Sequence, residues 1–439
     1  MTYSRTQTGH LLLCIGFLLP SLIVETTGET VQNVESKLLL VMFDGFRHDY
    51  LDKTDTPNFD RLLAAGAKAA GVIPAFTTKT FPGHHTVATG LYQESHGIMG
   101  NNMYDPEFDA TFNQGTAEPR WWNYGGEPVW VTNQKAGGRS VSVFYPGARV
   151  NISGQTATYY QPQYDESMPF EERIDLVVGL MASDQANLGL LYFHEPDSTG
   201  HLQGPDSDSI VEAISMCDTT LGYLLVSLTE AELIDDVNII VTSDHGMANV
   251  AAEQTVFLDE YVESGLYFYT NNDPVFGLWP YNETDGSLTT IYEALKDAHP
   301  QMNVYWKEAI PEGFRYRDNR RVSPILIVMD EGWHVWTNRS VEGNWMTYRG
   351  NHGFLNTLSS MQTIFIASGP AFKSNFALTD SFDAVDIYNL MCHVLDIDPA
   401  PNNGTFSNVA PLLSDAVTIA LPSFAALFLS LVSCKILLD

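Results

Sequence analysis

Four short stretches of this chain set acids or histidines beside glycine, each following a separate segment. Asp44 stands in Phe43-Asp44-Gly45-Phe46-Arg47, and Asp197 with His201 in Glu195-Pro196-Asp197-Ser198-Thr199-Gly200-His201. Asp244 and His245 stand in Ser243-Asp244-His245-Gly246, and His352 in Gly350-Asn351-His352-Gly353. Three acids and three histidines gathered on one rim suffice for two divalent ions, and mixed imidazole and carboxylate ligation suits zinc. Taken singly, a strand-terminal Asp is more often a helix cap or turn former, and a lone His a satisfied surface residue. The joint pattern outweighs those readings, because four such clusters after four separate segments rarely coincide. His84, His85, His96 and His194 lack this company and are set aside.

Two metal ions about 4 Å apart typically serve in-line displacement at phosphorus. A covalent route needs a nucleophile, and Thr78-Lys79-Thr80-Phe81-Pro82-Gly83 offers Thr80. Proline favours the first helical turn, so Pro82 predicts a helix that starts at Thr80 and ends near Gly90. The helix N-terminus would present amide groups to a phosphoryl oxygen, and a metal would stabilise the threonine alkoxide. A plain N-cap is the competing role for Thr80.

The elements that must position these residues alternate along the chain. Apolar runs predict strands at residues 37–43, 141–145, 188–193, 237–242 and near 363–367. Amphipathic spacing predicts helices at residues 57–70, 170–181, 209–228 and 383–395. Such alternation implies an α/β fold whose mostly parallel sheet is sandwiched by helices, with chemistry just past the carboxyl ends of the strands. Residues 266–345 are richer in turns and aromatics and read as a small cap or insertion on the same domain.

Composition narrows the functions. With 44% apolar residues over 439, the chain can bury a large core, which excludes disorder and fibrous repeats. Its 53 acidic and 22 basic residues give a formal charge of -31, which excludes nucleic acid as a bound partner. Residues 1–27 read as a signal peptide, residues 28–411 as the catalytic body, and residues 416–439 as a membrane anchor or anchor signal. Sequons at Asn151, Asn282, Asn338 and Asn403 fit a glycoprotein at the cell surface, on the extracellular side of the plasma membrane. Outside the terminal segments only Cys217 and Cys392 remain, so at most one bridge forms.

The chain resembles the ectonucleotide pyrophosphatase/phosphodiesterase family of the alkaline phosphatase superfamily. The resemblance rests on the clusters above together with Thr78-Lys79-Thr80-Phe81-Pro82, Glu94-Ser95-His96-Gly97-Ile98, Asn101 and Met103-Tyr104-Asp105. Trp121-Trp122-Asn123, Asn303-Val304-Tyr305 and Asp330-Glu331-Gly332-Trp333 make it most like the short membrane-anchored types 4 and 5. It implies an alkaline-phosphatase-like fold and two zinc ions. One is held by Asp197, His201 and His352, the other by Asp44, Asp244, His245 and the Thr80 oxygen. Thr80 then attacks a phosphodiester or pyrophosphate and forms a phosphothreonine that water cleaves. The resemblance assigns Asn101 and the Thr80 amide as oxyanion donors, and Phe81 with Tyr164 as the slot that grips a nucleobase. Gly83 stands where the family often has Asn, and Leu355 where an Asp commonly follows the last zinc histidine, which leaves the support of His352 open.

The implied activity is extracellular hydrolysis of dinucleoside polyphosphates, NAD-like molecules or nucleotides to nucleoside monophosphates. Two other readings compete with it. One is the same chemistry on choline-type glycerophosphodiesters or phospholipids, whose cationic headgroup an acidic, aromatic cage would suit. The other is a catalytically weak cell-surface binding ectodomain, against which the complete ligand set and Thr80 argue.

Overall fold

The computed structural model describes residues 36–414, except 271–272, 282–285, 341–342 and 344–345, together with Ile23–Val24. The expected anchor segment and most of the expected signal peptide lie outside the described residues. Four strands form the parallel heart of a nine-stranded sheet: Ser140–Val143, Leu188–Phe193, Lys37–Phe43 and Val237–Thr242, side by side in that order. Their residues sort by parity, as burial on both faces requires. Leu38, Leu40 and Met42 join Leu188, Leu190 and Ile240 in one core, whereas Leu39, Val41 and Phe43 join Leu191, Phe193 and Val241 in the other.

Helices cover each face. Pro57–Ala65, Phe170–Ala182 and Asp208–Glu230 lie over one, and Thr80–Thr89, Val129–Lys135 and Asp386–Val394 over the other. Among the described residues only Asp208–Glu230 is long and apolar enough to cross a membrane, and it packs Ile210, Ile214, Leu221 and Leu228 into the core. Cys217 and Cys392 are buried, unbridged and in cores on opposite sides of the sheet.

The far side of the sheet departs from the prediction. Phe365–Ser368 runs antiparallel to Val237–Thr242, and Gly66–Ala69 adds antiparallel beyond it. The helix expected over residues 57–70 therefore stops at Ala65. Gly66 already lies in the sheet, so close to its neighbour that a Cβ there would meet the Ala367 carbonyl oxygen at 2.3 Å. At the opposite edge the backbone of Ile23–Val24 pairs with Tyr159–Tyr160. Removal of a leader at residue 27 would leave Tyr159–Tyr160 as that edge.

The expected insertion is a second, four-stranded antiparallel sheet in the order Tyr267–Thr270, Val275–Pro280, Ile325–Met329 and Met302–Trp306, with its own core around Phe276, Leu278, Ile325 and Ile327. An ionic knot ties it to the loop carrying Asn101. Buried Asp105 accepts from Arg321 Nε at 2.7 Å and from Arg320 Nε at 2.9 Å. Arg321 Nη1 also donates to the carbonyls of Gly97 at 2.6 Å and Trp121 at 2.9 Å. Removing one partner of such a pair strands a buried charge. Asp105→Asn is therefore expected to cost about 3–5 kcal/mol, read from the urea midpoint; a loss below about 1 kcal/mol would show that the knot adds little.

Candidate active site

The parallel strands deliver the acids. Asp44 follows Lys37–Phe43 directly, and Asp244 with His245 follows Val237–Thr242. Asp197 opens the helix Asp197–Gln203, which sets His201 one turn later on the same face. His352 arrives from the cap side, because Gly350–Asn351 pairs with Ala248–Asn249 just after the Asp244 loop. These loops bond to one another: Asp197 N–H donates to Asp44 O at 3.0 Å, Phe46 N–H to Ser243 Oγ at 2.9 Å, and Gly45 N–H to Asp244 Oδ1 at 3.2 Å. Gly45 is required there twice over. Its φ is +69°, and a Cβ would meet the Asp197 Cα at 2.9 Å.

Two groups of ligand-type atoms result. His245 Nε2 lies 3.2 Å from Asp44 Oδ1 and 3.1 Å from Asp244 Oδ2. His201 Nε2 lies 3.5 Å from Asp197 Oδ1 and 3.1 Å from His352 Nε2, and His352 Nε2 lies 3.6 Å from Asp197 Oδ1. The His245 and His352 rings stack with centroids 3.4 Å apart, so the groups share a wall. Ligand atoms around one tetrahedral zinc lie about 3.3 Å apart, and these spacings bracket that value.

The chemistry of the donors fits a cation as well. Asp44 Oδ1, Asp197 Oδ1 and Asp244 Oδ2 are buried and receive no hydrogen bond from the protein. Each histidine places its Nδ1 on a backbone carbonyl: His201 on Gly350 at 2.9 Å, His245 on Gly246 at 2.9 Å, His352 on Thr78 at 2.8 Å. That partner takes the Nδ1 proton and turns the Nε2 lone pair inward, the arrangement of a ligating imidazole. The Thr78 carbonyl thus supplies the support for His352 that Leu355 cannot.

Thr80 is the first residue of the helix Thr80–Thr89, which ends at Gly90 in a left-handed turn as expected. Its Oγ1 lies 3.4 Å from His245 Nε2, in the wall between the two groups. Asn101 Oδ1 accepts the Phe81 N–H at 2.9 Å, leaving its Nδ2 end as a donor near Thr80. Phe81 and Tyr164 line one cavity of about 240 Å³ with Thr80, Asp44, Asp197 and Tyr192, and Tyr164 is 45% exposed at its mouth. A second cavity, of about 560 Å³, opens on the His201 side and also reaches Thr80.

Three supporting residues stand outside the clusters read from the sequence. His84 places Nδ1 on the Thr80 carbonyl at 2.8 Å and lies 3.4 Å from Asp244 Oδ2; its four-residue offset from Thr80 could have revealed it. Lys79 Nζ donates to the carbonyls of Asp273 and His352, each at 2.7 Å. Tyr192 bonds Asp44 from the neighbouring strand. His85 and His96 sit in the interior beside Trp122 and Thr86, and His194 faces Glu166 at 3.7 Å, so none of these three joins the clusters.

The chain belongs to the type I phosphodiesterase/nucleotide pyrophosphatase family, whose model matches residues 38–355, and it is a hydrolase of that class. It is 40% identical to human ectonucleotide pyrophosphatase/phosphodiesterase family member 5 over 93% of this chain and 84% of that protein. To human bis(5'-adenosyl)-triphosphatase it is 36% identical over 97% and 94%. Murine ectonucleotide pyrophosphatase/phosphodiesterase 5, solved as an inactive threonine-to-alanine variant in complex with AMP, superposes with a TM-score of 0.83 at 42% identity, covering 87% of this chain and all of that one. The fold is alkaline-phosphatase-like.

Burial works against the acids. It lifts the Asp197 carboxyl to about 7, and burial together with the Asp244 charge lifts Asp44 to about 6. Asp244 is also pushed up by burial, but the His245 and His84 imidazoles reverse this and hold it well below the usual range. Burial pushes the His245 imidazole down, but the Asp244 and Asp44 carboxylates more than reverse this and hold it well above its usual range. A cation must therefore displace protons from Asp44, Asp197 and His245, so acid opposes binding and alkali favours it. Zinc affinity of the chelator-stripped protein is expected to rise steeply from pH 5 to pH 8 in a competition titration. A flat profile would contradict this donor set.

Proposed function

We propose that this chain is an extracellular, zinc-dependent nucleotide pyrophosphatase/phosphodiesterase held at the cell surface by residues 416–439. On this reading it releases nucleoside monophosphates from dinucleoside polyphosphates, NAD-like molecules or nucleotides through a phosphothreonine intermediate. The observation that carries it is the position of Thr80: first in its helix, between two carboxylate and imidazole groups, and at the inner end of an aromatic cavity. A solved relative made inactive by one threonine-to-alanine change and holding AMP supports both halves of the reading, as does a relative named for diadenosine triphosphate.

Asp197, His201 and His352 would hold one zinc, and Asp44, Asp244 and His245 the other. Bound zinc would neutralise phosphoryl charge and lower the cost of the Thr80 alkoxide. The protein's own groups do the rest. The Thr80 hydroxyl gives its proton to water and Oγ1 bonds to phosphorus as the bond to the leaving oxygen breaks, and the departing oxygen takes up a proton from water. The Thr80 N–H has no intrahelical acceptor, so it and Asn101 Nδ2 receive the oxygen that gathers charge. Phe81 and Tyr164 hold the base of the retained nucleoside while a water oxygen bonds to phosphorus, the bond from phosphorus to Thr80 Oγ1 breaks, and that water's proton passes to Oγ1.

A product assay should find AMP released from diadenosine triphosphate; cleavage of glycerophosphocholine or sphingomyelin with no action on dinucleotides would replace this reading by the choline one. Thr80→Ala should lower turnover on the order of 10³-fold while zinc content holds. A variant turning over at the parent rate would rule out the covalent route. Phe81→Ala or Tyr164→Ala should cost about 1–3 kcal/mol in kcat/KM for the dinucleotide and far less for a small diester without a base. Equal losses on both substrates would mean that the rings only support the site.

A further inference from the structure

Asp44 and Asp244 share a pattern. In Asp244, Oδ1 accepts from Gly45 N–H at 3.2 Å and Ser243 Oγ at 3.1 Å, while Oδ2 faces His245 with no donor of its own. In Asp44, Oδ2 accepts from the Tyr192 hydroxyl at 2.5 Å, while Oδ1 faces His245 and again has none. One oxygen of each carboxylate is held by the protein and the other points at the same spot.

Tyr192 is built to hold its end. It is the penultimate residue of Leu188–Phe193, paired in register with Met42 on the strand that delivers Asp44. Its ring is 9% exposed, edge-on to His84 at 5.2 Å and to Tyr164 at 6.1 Å. The phenol is protonated at neutral pH and so is the donor.

We propose that Tyr192 is a positioning residue of the metal centre: its hydroxyl occupies one oxygen of Asp44 and thereby aims the other at the cation shared with Asp244 and His245. The inference rests on the two-zinc reading above. Without the hydroxyl, Asp44 Oδ2 becomes a buried acceptor with no donor, and the carboxylate turns out of its ligating orientation.

The test is Tyr192→Phe in the purified chain, which removes one oxygen and keeps the ring. Zinc is titrated into chelator-stripped parent and variant in competition with a chromophoric chelator. One of the two sites should weaken by about 10–100-fold. Turnover of a small diester without a base should fall at limiting zinc and return at saturating zinc, with KM unchanged. Loss of the buried donor also lowers the melting temperature of the stripped protein, so the discriminating readout is the return of turnover at saturating zinc, which a general structural role would not give. Tyr164→Phe, altering a hydroxyl on the same cavity wall but not the one on Asp44, should bind zinc like the parent. Affinity of Tyr192→Phe within about threefold of the parent overturns the assignment; a parent that takes up no zinc overturns the two-zinc reading instead.

Discussion

Three carboxylates, those of Asp44, Asp197 and Asp244, are held at one end of a buried sheet with an oxygen apiece that no protein donor reaches. Their mutual repulsion is what the surrounding structure must contain. Ionised and unpaired in the interior, they would cost several kcal/mol each. The chain pins them by backbone: Gly45 lies against Asp197, the Asp44 carbonyl receives the Asp197 N–H, and Gly45 N–H bonds Asp244. Rigid spacing of like charges is a poor way to stabilise a fold and a good way to select divalent cations.

Thr80 is tied to the same framework through its helix. Gly83 lies so close to Asp244 that a Cβ would meet the Asp244 carbonyl oxygen at 2.7 Å, and His84, on the next residue, spans Thr80 and Asp244. The Asn that the family often carries at this position would not fit the present spacing. Here the helix therefore approaches the Asp244 loop more closely than a side chain would permit, and Thr80 Oγ1 is brought to His245 by that approach. Asn101 reaches the same point from the other direction, on a loop clamped by Arg321 to the second sheet. The cap is thus part of how Asn101 is placed.

What the sequence made legible follows the same physics. Strands buried on both faces must be apolar throughout, so Leu188–Phe193 and Val237–Thr242 could be read to the residue. Asp44, Asp197, Asp244 and the three histidines stood out because acids and histidines recur where strands end and glycine lets loops approach, and the fold brings them together. Gly66–Ala69 was not legible: its four residues continue the amphipathic spacing of the preceding helix, and only packing on Phe365–Ser368 turns them into a strand. Tyr192 and Lys79 were hidden for a related reason. An aromatic in an apolar strand and a cation in a polar loop look ordinary until the fold shows which oxygen each one meets.

An anionic substrate entering a chain of charge -31 needs local compensation, and the cations lining the two cavities do not supply it freely. Lys79 is spent on the carbonyls of Asp273 and His352. Arg149, on the base side, donates to the carbonyls of Pro162 at 2.8 Å and Gly115 at 3.1 Å, drawing together the loops around the slot. Among the described residues that line these cavities, the fixed positive charges thus serve as struts. The sources of positive potential left to meet a phosphoryl group are the helix N-terminus at Thr80 and any cation the acids would hold. On the proposed reading, the same carboxylates that make the surroundings hostile to phosphate would, holding a divalent cation, become the reason phosphate stays.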